Sequence, residues 1–167
     1  MNRIGIIGAM DEEVDILVEL MDIKETIEKA SLKFYKGTLE GKDIVLVRCG
    51  IGKVNSALCA QILISEFDVD AIVNTGVAGA LHSELDVLDM VISTDAIQYD
   101  VDTTAFGDPK GTIPRMESSV FVADEKLINA AYESSIKEMK SNKVLKGRVA
   151  KGEIFIRSKE LKEELVN

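Results

Sequence analysis

Ile4-Gly5-Ile6-Ile7-Gly8-Ala9-Met10-Asp11-Glu12-Glu13-Val14 decides the fold class of this chain. Ile4 to Ile7 is a short apolar run closed by Gly8, which reads as a buried strand. Three acids follow, and then Val14, Leu17, Val18 and Met21 recur at helical spacing. Strand, tight Gly-Ala turn and helix therefore come in immediate succession. The acids fall in the first helical turn, where the helix dipole favours negative charge.

Further along, Leu32 to Leu39 and Asp43 to Cys49 flank Glu40-Gly41-Lys42, a hairpin signal. Gly50-Ile51-Gly52-Lys53 opens a second helix, with Val54, Ala57, Leu58, Ile62 and Ser65 expected on its apolar face. Ala71 to Val73 reads as a buried strand ending in Asn74-Thr75-Gly76-Val77-Ala78-Gly79, and Val87 to Ser93 and Ala96 to Tyr99 read as two more. Thr103 to Met116 holds both prolines and is expected to be a loop. A helix over Asp124 to Met139 should turn Leu127, Ile128, Ala131 and Ile136 inward, capped by Asp124. Val144 to Ala150 suits a strand, and Ser158 a cap for a last helix to Leu165. Strands alternating with helices predict an α/β fold, and the hairpin makes its central sheet mixed.

The chain has 167 residues, 46% of them hydrophobic, within the range of one domain with its own core. A formal net charge of -9 argues against nucleic-acid binding, which needs a basic face to displace counterions. No apolar run approaches the roughly 20 residues that span a bilayer. Cys49 and Cys59 follow no zinc spacing and no signal-peptide pattern precedes them, so both are expected to be buried thiols of a cytoplasmic protein. No His/Cys cluster suggests a metal, and no cofactor is expected. His82, the one histidine, lies in a polar stretch and reads as a surface residue.

Three glycine-bearing turns follow three strands: Gly8-Ala9-Met10, Gly50-Ile51-Gly52 and Gly76-Val77-Ala78-Gly79. In open α/β sheets ligands bind outside the carboxyl ends of strands, so three such turns favour a site there over three incidental tight turns. Neither phosphate fingerprint is present. Gly52-Lys53 is followed by Val54 and has no glycine five positions earlier, and no G-x-G-x-x-G occurs in these turns. Asp11-Glu12-Glu13 has two readings, a solvated first helical turn or a cluster with one carboxylate turned into the cleft as a general base. Tyr99, Phe106 and Phe155 are either core residues or aromatic surface for a planar ligand.

The same turns carry a resemblance. The opening Ile4–Val14 stretch resembles that of the methylthioadenosine/S-adenosylhomocysteine nucleosidases. So do Cys49-Gly50-Ile51-Gly52-Lys53-Val54-Asn55, Asn74-Thr75-Gly76-Val77-Ala78-Gly79, Thr104-Ala105-Phe106-Gly107 and Gly152-Glu153-Ile154-Phe155-Ile156, in order and over essentially the whole chain. The resemblance implies a nucleoside-phosphorylase-type fold, a mixed central sheet flanked by helices, working as a homodimer. It implies hydrolysis of the N-glycosidic bond of methylthioadenosine and S-adenosylhomocysteine, with Glu13 activating the water. It puts Met10, Ile51 and Phe155 around the 5'-thio substituent and ribose, Ala78 and Gly79 beside purine and ribose, and Ile156 at the adenine edge. Phe106 and Pro114 would come from the partner subunit. Val77 departs from the serine of many relatives, and Thr103 from an apolar residue. Family members also continue into a Glu-Met-Glu segment for the ribose hydroxyls and a Ser-Asp pair holding the purine's acid. The chain is thus expected to be one nucleosidase domain over 1–167, incomplete at its C-terminus and inactive on its own. Alternatives are a nucleosidase for futalosine or 5'-deoxyadenosine, or an inactive nucleoside-binding or dimerising module.

Overall fold

A computed structural model describes residues 2–166, leaving Met1 and Asn167 outside the described residues. The chain divides into two compact units, 1–78 and 79–167. Both mix strands and helices as the sequence predicts.

In the first unit, β1 (Arg3–Gly8), α1 (Asp11–Leu20), β2 (Asp22–Lys29), β3 (Leu32–Leu39), β4 (Lys42–Arg48), α2 (Lys53–Phe67) and β5 (Ala71–Asn74) build a five-stranded sheet in the order β2-β3-β4-β1-β5. β1 pairs in parallel with β4 and β5, while β2, β3 and β4 form an antiparallel meander. Consecutive side chains of a strand point to opposite faces. Ile7, Val45 and Val47 therefore meet Phe34, Cys59, Leu63 and Phe67 on the α2 side. Ile44 and Leu46 meet Val14 and Met21 on the α1 side, with Ile4, Ile6, Leu17 and Val18 beside them. With both faces covered, Ile44-Val45-Leu46-Val47 reads as an unbroken apolar run. Phe34 and Phe67 stack with ring centroids 4.9 Å apart.

The second unit contains β6 (Met90–Gln98), a 3-10 turn at Thr104–Phe106, β7 (Val120–Val122), α3 (Glu125–Glu138), β8 (Val144–Lys151) and α4 (Lys159–Val166). Its three-stranded sheet has the order β7-β6-β8, with β6 antiparallel to β7 and parallel to β8. Asp124 caps α3 by accepting a hydrogen bond from the Leu127 N–H at 3.0 Å. Ser158 does the same for α4 through the Leu161 N–H at 3.1 Å.

Three expectations are corrected, and two strands are found where the sequence indicated none. The charged stretch Asp22–Lys29, with no apolar alternation to mark it, is the edge strand β2; edge strands carry charge because charge blocks pairing with other chains. The two strands expected at Val87–Ser93 and Ala96–Tyr99 are one, β6, whose register shifts between Ser93 and Asp95. The polar residues that suggested a break form an irregularity within a continuous strand. α2 buries Cys59, Leu63 and Phe67, whereas Val54 and Leu58 are 80% and 47% exposed, because apolar residues surround this helix and periodicity cannot select a face. In α3 the partly buried residues are Leu127, Ile128, Tyr132 and Ser135, joined by Met139 at the C-cap, with Ala131 and Ile136 exposed. The short strand β7 is an addition that the sequence pattern did not indicate.

Cys49 and Cys59 are free and buried, as expected. Burial pushes the Cys59 thiol up to about 12, with nearby Cys49 adding in the same direction. The unfolded thiol loses its proton near 9.0, so the unfolded state is favoured as pH rises from there toward about 12. Stability is therefore expected to fall across that alkaline window and to fall less steeply in Cys59→Ala. Denaturant midpoints measured across alkaline pH check this; identical slopes for both proteins would remove Cys59 as the cause.

Candidate active site

The carboxyl ends of β4, β1 and β5 lie side by side, and each opens into one of the glycine-bearing turns. Backbone bonds knit these ends together. The Cys49 N–H donates to Gly8 O at 2.9 Å, and the Thr75 N–H to Ile7 O at 2.9 Å. Gly50 and Gly52 have φ of +82° and +109°, values that side chains with a Cβ rarely adopt.

Glu13 stands in the first turn of α1 and is half-buried. Its Oε2 accepts hydrogen bonds from the Ala9 N–H at 2.6 Å and the Met10 N–H at 3.2 Å. Its Oε1 accepts from the Val77 N–H, 64 residues away, at 3.0 Å. One carboxylate thus joins the turn after β1 to the turn after β5. The glycines make room for it. A Cβ at Gly76 would lie 2.7 Å from Glu13 Oε1, and one at Gly8 would lie 3.1 Å from Glu13 Cβ and 2.5 Å from Val14 Cγ1. Of the two readings of Asp11-Glu12-Glu13, the inward-turned carboxylate holds for Glu13. Asp11 and Glu12 are exposed.

A cavity of about 350 Å³ opens beside this point, lined by Ala9, Met10, Asp11, Glu12, Arg48, Gly50 and Ile51. Met10 and Ile51 are thereby brought together, Ile51 with 71% of its surface exposed. At the rim, Arg48 Nη1 donates to Asp11 Oδ2 at 3.0 Å. Ala78 follows Val77 in the turn after β5 and is exposed. Sequence reading did not single out Arg48, nor the Ala9 and Val77 amides. An arginine at a strand end has no distinctive spacing, and backbone donors carry no side-chain signature. The Val77 side chain is 80% exposed, so its departure from serine leaves the amide contact to Glu13 intact.

The remaining expected site residues belong to the second unit, at whose start Gly79 stands exposed. Phe106 ends the 3-10 turn and is 88% exposed; Pro114 is exposed in the following loop. Phe155 and Ile156 lie in the irregular segment between β8 and α4, Phe155 exposed with the Arg157 guanidinium 5.8 Å from its ring centroid. That segment is anchored: Tyr99 Oη donates to Ile154 O at 2.6 Å and the Glu153 N–H to Asp100 Oδ2 at 2.8 Å. Tyr99, one of the three aromatics left open by the sequence, is buried. His82 is exposed and accepts from the Glu84 N–H at 3.3 Å.

A mixed sheet with a carboxylate fastened across adjoining strand ends defines an α/β protein whose strand ends are its candidate ligand site. The chain belongs to the phosphorylase superfamily, whose family model matches residues 3–167, and within it to the 5'-methylthioadenosine/S-adenosylhomocysteine nucleosidases. The nucleosidase of that name from Anoxybacillus flavithermus is 45% identical over 154 residues, which cover 92% of this chain and 66% of the relative. The crystal structure of the Neisseria meningitidis nucleosidase in complex with methylthio-immucillin-A superimposes with a TM-score of 0.92 at 36% identity, covering 99% of this chain and 71% of the other. Futalosine hydrolase of Helicobacter pylori gives a TM-score of 0.89 at 36% identity, with 99% and 70% covered. The chain thus spans about two thirds of the length of the curated relatives it matches.

Moving Glu13 off the Val77 amide should destabilise the fold. Gly76→Ala is expected to cost about 1 kcal/mol, the scale of one intramolecular hydrogen bond lost at a solvent-exposed amide. Gly79, where a Cβ would meet nothing within 4 Å, serves as the control. Gly79→Ala should stay within about 0.5 kcal/mol of the parent. Denaturant unfolding of the two variants checks this, and equal stabilities would mean that the carboxylate is not clamped at Gly76.

Proposed function

We propose that this protein hydrolyses the N-glycosidic bond of 5'-methylthioadenosine and S-adenosylhomocysteine, releasing adenine and a 5-thio-substituted ribose. The observation that carries the reading is the Glu13 carboxylate, fixed by three amides at the joined ends of β1 and β5. A carboxylate offers roughly four acceptor positions. Three are filled, and one remains on Oε1 for the proton of a water molecule. In the proposed reaction the water oxygen bonds to the anomeric carbon, the carbon–nitrogen bond breaks toward the purine, and Glu13 takes the water's proton. The ribose gains oxocarbenium character as that bond breaks, and a fixed carboxylate nearby stabilises the developing charge. Departing adenine takes up a proton at its ring nitrogen, which calls for a general acid.

Water is favoured over phosphate as nucleophile because Asp11, Glu12 and Glu13 crowd one helical turn, where a further anion would be repelled. Met10 and Ile51 offer apolar surface for the 5'-thio group at the cavity of the first unit. The reading gives Ala78 and Gly79 the purine and ribose, Phe155 the 5' side and Ile156 the adenine edge. It makes the protein a homodimer, with the partner subunit's Phe106 and the partner subunit's Pro114 closing the 5' end. Exposed Val54, Ala57 and Leu58 on the outer face of α2 support a dimer, since a helix apolar all round is usually covered on both sides. Among the described residues, no helix is long and apolar enough to cross a membrane; the reading makes the protein cytoplasmic.

In the protein expressed from its complete reading frame, Glu13→Gln is expected to cut adenine release from methylthioadenosine by at least about 10²-fold, the lower end for a lost general base. It should also lower stability by about 1–3 kcal/mol, because the amide's N–H₂ faces backbone donors. A mutant rate near that of the parent would exclude Glu13 as the base. Adenine release by the parent from futalosine, with none from methylthioadenosine, would overturn the substrate assignment.

Phe106→Ala should raise KM for methylthioadenosine more than KM for 5'-deoxyadenosine, which lacks the thiomethyl group. Initial rates with the two substrates check this, and equal effects would separate Phe106 from the 5' end.

A further inference from the structure

The Arg48–Asp11 pair stands at the edge of the Met10–Ile51 cavity and has no part in the reaction described above. The partners come from different elements, the last residue of β4 and the first of α1. Their side chains are 54% and 60% exposed, so both charges are open to a ligand. Glu12 lines the same cavity. One guanidinium and two carboxylates therefore face the space next to the apolar pair.

A methylthio group ends among apolar atoms and needs no charge beyond them. The homocysteine arm is longer and ends in an α-amino acid, whose ammonium and carboxylate sit on a single carbon. A cation and an anion held 3.0 Å apart match that close pairing of opposite charges. We propose that Arg48 and Asp11 exchange their mutual contact for the zwitterionic end of the substrate, and so select S-adenosylhomocysteine among 5'-thioadenosines. Arg48 takes the carboxylate as a planar fork of donors. Asp11, with Glu12 beside it, takes the ammonium. The exchange replaces one ion pair by two, which limits the desolvation cost. A tail carrying only a carboxylate meets two like charges and is disfavoured. This inference rests on the nucleosidase reading and on the 5' substituent lying along Met10 and Ile51.

The test compares kcat/KM for S-adenosylhomocysteine, methylthioadenosine and an uncharged 5'-butylthio analogue, in the parent and in Arg48→Gln, Arg48→Lys and Asp11→Asn. The protein is again expressed from its complete reading frame. Arg48→Gln is expected to lower the ratio of S-adenosylhomocysteine to methylthioadenosine kcat/KM about threefold to fivefold, the range of a solvent-exposed ion pair. The loss should lie in KM, because the tail is bound alike in ground and transition states. Asp11→Asn should shift the ratio the same way, Arg48→Lys should restore part of it, and the butylthio analogue should follow methylthioadenosine. In the parent the ratio should decline with added salt. Equal losses on all three substrates would overturn the proposal, leaving Arg48 as a tether of the turn after β1. A parent protein that releases adenine from none of them overturns the nucleosidase reading and this inference with it. A parent active on all three, with ratios unchanged in the variants, overturns this inference alone.

Discussion

Three backbone N–H groups point at one carboxylate, and the architecture of the strand-end site follows from satisfying them. The amides of Ala9, Met10 and Val77 lie where strand hydrogen bonding has ended. Backbone donors released from the strand ladder need other partners, and the more so the less water reaches them. Glu13 meets all three from the start of α1. The contact across 64 residues ties β5 to β1 beyond their last paired residues. It also holds a charged group in a half-buried place with a defined direction, as the proposed base acting on water requires.

That constraint explains the small residues around it. Gly8 and Gly76 leave the volume that the Glu13 side chain fills, and even a methyl group at Gly76 would overlap the carboxylate. The sheet beneath supplies rigidity. β1 and β4 are central strands of a sheet covered by α1 on one face and α2 on the other. A site built on packed strands holds its geometry better than one built on loops alone. The cavity beside Glu13 inherits that precision through Gly8 and Cys49, whose backbones are hydrogen-bonded to each other.

The two readings of the acidic cluster show how local chemistry divides within one turn. Asp11, Glu12 and Glu13 share the favourable helix dipole, yet Glu13 alone of the three accepts from the amides of the turns after β1 and β5. Asp11 turns instead to Arg48 at the rim. Three adjacent carboxylates thus take up separate positions: an internal anchor, a partner in an exposed ion pair and an open charge.

The order of strands and helices in the first unit was legible from its apolar runs and glycine turns, because burying both faces of a sheet demands continuous hydrophobic strands. The caps Asp124 and Ser158 were legible for a similarly local reason, since a side-chain oxygen reaches an amide three residues ahead. Glu13 stood out as a candidate through its motif. Tertiary structure decided what depended on distant partners. The buried face of α2 was set by the sheet it met, because apolar residues on every side left the helix itself no preference. β2 formed where charge patterning hid it, because the β3 edge offered unpaired amides and carbonyls for it to bond. Arg48 and the Val77 amide became part of the site only when parallel pairing brought the ends of β4, β1 and β5 side by side. Residues that far apart in sequence have no common periodicity, and only the folded sheet makes them neighbours.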